Sequence, residues 1–301
     1  MKTLDGICPI IMAPFCENGD LDPESFQRLV RHLLQTGIQG LTLFGLVTEF
    51  YKLTDAEKQT LQKIMLAETS RSSTVAGVVS ITDHAWEVAV IRAIEAQEAG
   101  ADALMVLPPF FLGASEQAVI QHLQAIAAAV SVPIVVQYAP VQTGVKLSPD
   151  VFVRLSSEFA NIKFVKVECQ PPGPYVSALQ QGAAGTIKSL VGYAGVQMPD
   201  VLARGATGIQ PGCSFSEIYV RLFGLFAAGK RSEMLALHRR LLPYISYWMQ
   251  GIELLIKAEK IILQRRGIIA SDYCRAISYV MDPSETRLID AFLEEFAEFF
   301  K

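Results

Sequence analysis

Ile162-Lys163-Phe164-Val165-Lys166-Val167-Glu168 is the stretch on which the reading of this chain turns. It is rich in β-branched and aromatic residues and reads as a strand. Successive strand side chains point to opposite faces. Ile162, Phe164, Lys166 and Glu168 therefore share one face, and Val165 and Val167 the other. Lys166 stands in the middle of an apolar strand, where an ammonium is costly to bury unless it loses its proton or is paired. Lys163 has the opposite parity and begins the strand, which sets it apart.

Outward from this run the same pattern recurs. Apolar runs over 7–13, 40–44, 74–79, 103–107, 133–137, 162–168, 186–191 and 207–210 make eight candidate strands, each followed by a plausible helix. Asp22-Pro23 supplies an N-cap and a proline at the first helical position. Phe26, Leu29, Val30, Leu33 and Leu34 then keep the helical period until Gly37. Thr54-Asp55-Ala56-Glu57 is a capping box, and Ser148-Pro149 opens a further helix. Eight strand–helix units with nearly all-apolar strands predict an α/β fold, a parallel (β/α)8 TIM barrel. The competing open sheet wants a Gly-rich turn after the first strand, and Ala13-Pro14-Phe15 is not one.

After Phe223 the strands stop. Helices are expected over 232–249, 252–266 and 283–300. The last opens on Asp282-Pro283-Ser284-Glu285, with Leu288, Phe292, Phe296 and Phe299 along one side. The expected organisation is a barrel over 1–224 that carries the active site, and a C-terminal helical region over 225–301 that packs on it or mediates assembly.

Composition narrows the function. Of 301 residues, 51% are hydrophobic and 19% charged, enough apolar material for a large core. The net charge of −4 is spread along the chain, with no basic stripe for nucleic acid. The five cysteines, at 8, 16, 169, 213 and 274, form no CxxC, so neither a disulfide framework nor a zinc ribbon is indicated. The first residues make a poor signal peptide, and no apolar run is long enough for a membrane span. A soluble cytoplasmic protein with reduced thiols is the expectation.

Chemistry in a barrel lies at the C-terminal strand ends. A desolvated lysine there can attack a ketone, which makes Lys166 a candidate nucleophile. The structural alternative is a buried ion pair with Glu168. The histidines at 32, 84, 122 and 238 form no HxH or HxxxH pair, so no metal site is expected. No P-loop, dinucleotide fingerprint or nucleophile elbow is present.

Over nearly its whole length the chain resembles the dihydrodipicolinate synthase / N-acetylneuraminate lyase superfamily of pyruvate-type class I aldolases. The resemblance rests on Gly6-Ile7 to Ala13-Pro14-Phe15, Gly45 to Glu49 before Leu53-Thr54 and Glu57, Pro140 with Thr143-Gly144, Lys166, and Gly205-Ala206-Thr207-Gly208. It implies a barrel with C-terminal helices, assembled as a homo-oligomer (tetramer or dimer). It also implies Lys166 as Schiff-base lysine, a small 2-keto acid as substrate, and no cofactor.

The departures from the family pattern point to a branch. The usual Gly-Thr-Thr-Gly-Glu loop reads Gly45-Leu46-Val47-Thr48-Glu49, leaving Thr48 as its one hydroxyl. The proton-relaying tyrosine of the fifth strand corresponds to Gln137, with Tyr138 beside it. A neighbouring subunit's tyrosine corresponds to Phe111, and the synthase's substrate-gripping arginine to Gln142. Gln137-Tyr138-Ala139-Pro140, Phe164 to Glu168 and Ile268-Ile269-Ala270-Ser271 are similar to the L-2-keto-3-deoxyarabonate dehydratases and related sugar-acid lyases. The resemblance implies a Schiff-base dehydratase or aldolase of a 2-keto-3-deoxy sugar acid. Lys166, Glu168, Gln137 and Tyr138 are its candidate catalytic groups, with Gly45, Val47, Thr48, Glu49, Phe111, Gly192 and Cys213 around the substrate. A synthase-type or N-acetylneuraminate lyase-type aldolase, or a non-catalytic barrel that binds a small acid, are the alternatives.

Overall fold

The structure, a computed structural model, describes residues 2–183 and 185–300. Seven parallel strands follow one another in chain order: β1 (Gly40–Leu43), β2 (Ala76–Ile81), β3 (Ala103–Val106), β4 (Ile134–Tyr138), β5 (Ile162–Val167), β6 (Lys188–Val191) and β7 (Gly208–Ile209). The expected first strand is the exception. Around Ile7 and Ile10 the chain makes only isolated bridges, to Ile209 and Thr42. Pro9 has no N–H to give a ladder, so regular pairing cannot run through it. The segment still closes the barrel: Cys8 N–H donates to Ile209 O at 2.9 Å on one side, and Ile11 N–H to Thr42 O at 2.9 Å on the other. It is the eighth stave, and β5 is the sixth stave in chain order.

The barrel has two cores. Leu4, Cys8, Ala76, Val78, Ala103, Met105, Val135, Phe164 and Leu190 form a separate buried cluster whose members alternate along the strands, as the filling of a barrel does. The other strand faces join the helices in one larger core.

The helix signals hold at residue level. Asp22 Oδ1 accepts from Ser25 N–H at 2.9 Å ahead of the helix Pro23–Leu34. Thr54 with Glu57, and Asp282 with Glu285, form reciprocal capping boxes. The C-terminal helices are Arg231–Trp248, Ile252–Arg265 and Pro283–Glu295, the last followed by a short 3-10 turn, Ala297–Phe299. Phe292 packs on Phe215, Trp248 and Phe296 at ring separations of 5.1, 5.2 and 5.1 Å. These rings fasten the C-terminal helices to the chain that follows β7.

Candidate active site

Lys166 lies near the C-terminal end of β5, on the same strand face as Phe164 of the inner cluster. Its Nζ is 3.2 Å from Glu168 Oε1, and the two side chains are 2% and 12% exposed. Gln137 stands opposite Lys166 in the β4–β5 register. Its Nε2 donates to Glu168 Oε2 at 2.6 Å. The two carboxylate oxygens thus have separate partners, a cation and an amide. Gly192, just past β6, completes the group, because a Cβ there would overlap Glu168 Oε1. Removing one member of such a buried pair leaves an uncompensated charge, at about 3–5 kcal/mol.

The alternation that turns Gln137 inward turns Tyr138 outward. Tyr138 stacks on Tyr175 at 4.5 Å and meets the edge of Phe152 at 5.7 Å, within the core between sheet and helices. Burial pushes its phenol pKa up. The structure does not bring it to Lys166.

The loop after β1 makes a 3-10 turn, Leu46–Thr48, with Val47 and Thr48 buried. A Cβ on Gly45 would stand 2.6 Å from Ile10 Cγ2, so the close approach requires glycine. Thr48 Oγ1 donates to Ile11 O at 2.6 Å, which commits its proton to the backbone. Glu49 is fully buried between Lys52, at 2.9 Å, and Lys260. Lys260 also donates to Tyr273 O at 3.1 Å and sits over the Phe15 ring. Glu49 therefore ties the loop to the helix Ile252–Arg265.

Phe111 is 78% exposed, and its N–H donates to His84 Nε2 at 3.2 Å. Cys213 is buried, and that burial, with the nearby Glu259, pushes its thiol well above the usual range. The Cys213 and Ser214 N–H groups donate to Glu259 Oε2 at 2.8 and 3.1 Å. Burial raises the Glu259 carboxyl to about 7, against these two hydrogen bonds. Lys166, Glu168, Gln137 and Gly192 form one constellation; Phe111 and Tyr138 lie outside it.

Two features escaped the sequence reading. Tyr193 is half-buried and directly follows Gly192 on the loop after β6. Burial pushes its phenol up; the hydrogen bond with Gln142 opposes the rise and the Glu168 charge adds to it. The sequence signal for it is Gly192-Tyr193 at a strand end. Glu259-Lys260 is the other. Adjacent opposite charges inside Leu254, Leu255, Ile256, Ala258, Ile261, Ile262 and Leu263 mark a buried polar role. Among the described residues, no group of three His, Cys, Asp or Glu side chains could hold a metal ion, and no helix is long and apolar enough to cross a membrane.

Comparison with known proteins places this geometry among relatives. A sequence model of the Dihydrodipicolinate synthetase family matches residues 3–291. L-2-keto-3-deoxyarabonate dehydratase of Azospirillum brasilense is 25% identical over 283 residues, 89% of this chain and 86% of that one. The 4-hydroxy-tetrahydrodipicolinate synthase 1 of Streptomyces coelicolor is 30% identical over 81% of this chain and 78% of its own. The dihydrodipicolinate synthase structure from Rhodopseudomonas palustris superposes with a TM-score of 0.89 at 24% identity, covering 98% of this chain and all of that one.

Proposed function

Because this chain belongs to the dihydrodipicolinate synthetase family of lyases, we propose that it forms a Schiff base through Lys166 with a 2-keto-3-deoxy sugar acid and dehydrates it. The observation that carries the reading is the placement of Lys166 on the inner face near the C-terminal end of β5, where its buried pair with Glu168, steadied by Gln137, gives the amine a proton acceptor as well as a counter-ion.

The chemistry follows from charge conservation. Lys166 passes a proton to Glu168, and the free amine adds to C2 of the keto acid. The Glu168 proton leaves with the carbinolamine hydroxyl as water. The iminium that remains keeps the positive charge beside the carboxylate, so the buried ion pair persists through imine formation. Glu168 then takes a C3 proton, giving a neutral enamine and a carboxylic acid. The same proton goes to the C4 hydroxyl, which leaves as water; transfer of a C5 proton to C3 and tautomerisation of the resulting C4–C5 enol give the semialdehyde iminium, whose hydrolysis frees the product and the lysine. One carboxylate moves every proton. Gln137 holds it, where the resemblance implies a tyrosine in other members.

Carbon–carbon cleavage to pyruvate and an aldehyde begins with the same imine. Similarity to the Azospirillum dehydratase and the Gln137–Glu168 bond favour dehydration. A homo-oligomer is part of the reading, with exposed Phe111 and Leu112 in a contact between copies. The five free thiols fit a reducing cytoplasm.

Product analysis over a panel of 2-keto-3-deoxy acids, with wild type and Lys166→Ala, tests this. A dehydrated semialdehyde from wild type and no product from folded Lys166→Ala are expected. Pyruvate and an aldehyde would favour aldol cleavage. Equal turnover by both proteins contradicts the proposal.

A further inference from the structure

Among the described residues, four that are not glycine have positive φ: Phe44, Glu49, Tyr193 and Ala194, at 65°, 58°, 53° and 46°. All lie in the two loops that follow β1 and β6, on the rim that carries the Lys166 constellation. Strained backbone of this kind persists only where the surroundings hold it. Glu49 is held by its two lysines. Tyr193 and Ala194 lead into Gly195, at 68°, so three successive residues are left-handed. What holds them comes from behind the barrel.

Tyr219, fully buried on the helix Ser216–Ala227 and stacked on Phe215, donates its hydroxyl to Ala194 O at 2.6 Å. His238, buried on Arg231–Trp248, meets Gly195 O at 2.9 Å through Nε2. A carbonyl only accepts, so that nitrogen carries the proton. The left-handed turn aims two successive carbonyls at two buried donors. Its other end is Gly192, against which the Glu168 carboxylate is seated.

We propose that Tyr219 and His238 are positioning residues. They clamp the 193–195 turn and thereby fix Gly192 against Glu168, which holds the carboxylate beside Lys166. The placement of Glu168 is geometric, but its importance for turnover rests on the function proposed above. The groups at Glu168 are Lys166 from its own strand, Gln137 from β4 and Gly192 from the β6 loop, and Tyr193 is near enough for the Glu168 charge to raise its phenol.

The test is Tyr219→Phe, which removes one oxygen and keeps the ring stack. The carboxyl titration of Glu168 is followed by 13C NMR and assigned by its loss in Glu168→Gln. This readout needs no turnover. A titration midpoint moved by half a pH unit or more is expected, with restoration towards wild type when Ala194→Gly is added, because glycine adopts φ near 46° without strain. His238→Leu should move it the same way, and His238→Gln, which keeps an N–H donor, should move it less. An unmoved midpoint in folded Tyr219→Phe and His238→Leu overturns the clamp. So does a moved midpoint that Ala194→Gly leaves where it is. Pyruvate trapping at Lys166 of the wild type is scored separately. Its failure would sink the Schiff-base reading and leave the titration result standing.

Discussion

Glu168 occupies the space that a side chain on Gly192 would need: a Cβ built on Gly192 overlaps the carboxylate oxygen that faces Lys166. The proposed acid/base group and the strained loop after β6 are thus in direct steric register. Gly192→Ala must push Glu168 off Lys166 or break the loop. Turnover should fall by about 10²-fold, in line with loss of a general acid/base. Comparison of kcat with melting temperature checks this, because the lesion is local and the fold should survive.

Glu168→Gln keeps the shape and removes the proton carrier. A loss of about 10²–10⁴ in kcat is expected, the usual worth of a positioned acid/base. Slow imine formation with pyruvate should remain. Steady-state kinetics alongside adduct mass spectrometry separates the two steps.

Tyr138→Phe should leave kcat within about twofold, since Tyr138 packs with Tyr175 and Phe152 outside the barrel. The Leu147 carbonyl is taken by the neighbouring Tyr175 hydroxyl at 2.8 Å, so a cost to stability below about 1 kcal/mol is expected. A large kcat loss without loss of stability would restore Tyr138 to the site.

Glu259 makes stability depend on pH. Its folded carboxyl titrates at about 7, above the ordinary 4.5, because burial disfavours the charge. The native state therefore binds a proton more tightly than the unfolded chain does. The stabilising contribution is fully present below the unfolded value and is lost as pH rises from about 4.5 to about 7. Glu259→Gln cannot lose it. Relative to wild type, the variant should gain on the order of 3 kcal/mol between pH 4.5 and 8, read by urea unfolding. Parallel pH curves for the two proteins would show that Glu259 does not titrate there.

Much of the fold was legible because it rests on local signals. Asp22, Thr54 and Asp282 act as caps through their own side chains, and the strand parity at Lys166 is local geometry. The stave over 7–13 reads as a regular strand because apolar pattern carries no weight for the missing N–H of Pro9. In the candidate site, strand alternation sets Lys166 and Glu168 on one face, whereas Gln137 is named by the resemblance to the sugar-acid lyases; the structure brings the three side chains together. Tyr193, Tyr219 and His238 were not legible. Their roles depend on contacts between residues 25 and 43 positions apart and on a left-handed turn without a glycine at its first two positions. Thr48 is the one hydroxyl left in its loop, and its bond to Ile11 O is a long-range pairing that no local pattern announces.

The most direct measurement is borohydride reduction of the wild-type protein in the presence of pyruvate, followed by peptide mass mapping. The account predicts a reduced pyruvyl adduct on Lys166 and on no other lysine, absent from Lys166→Ala. A folded protein that gains no mass at Lys166, or carries the adduct on another lysine, would contradict it.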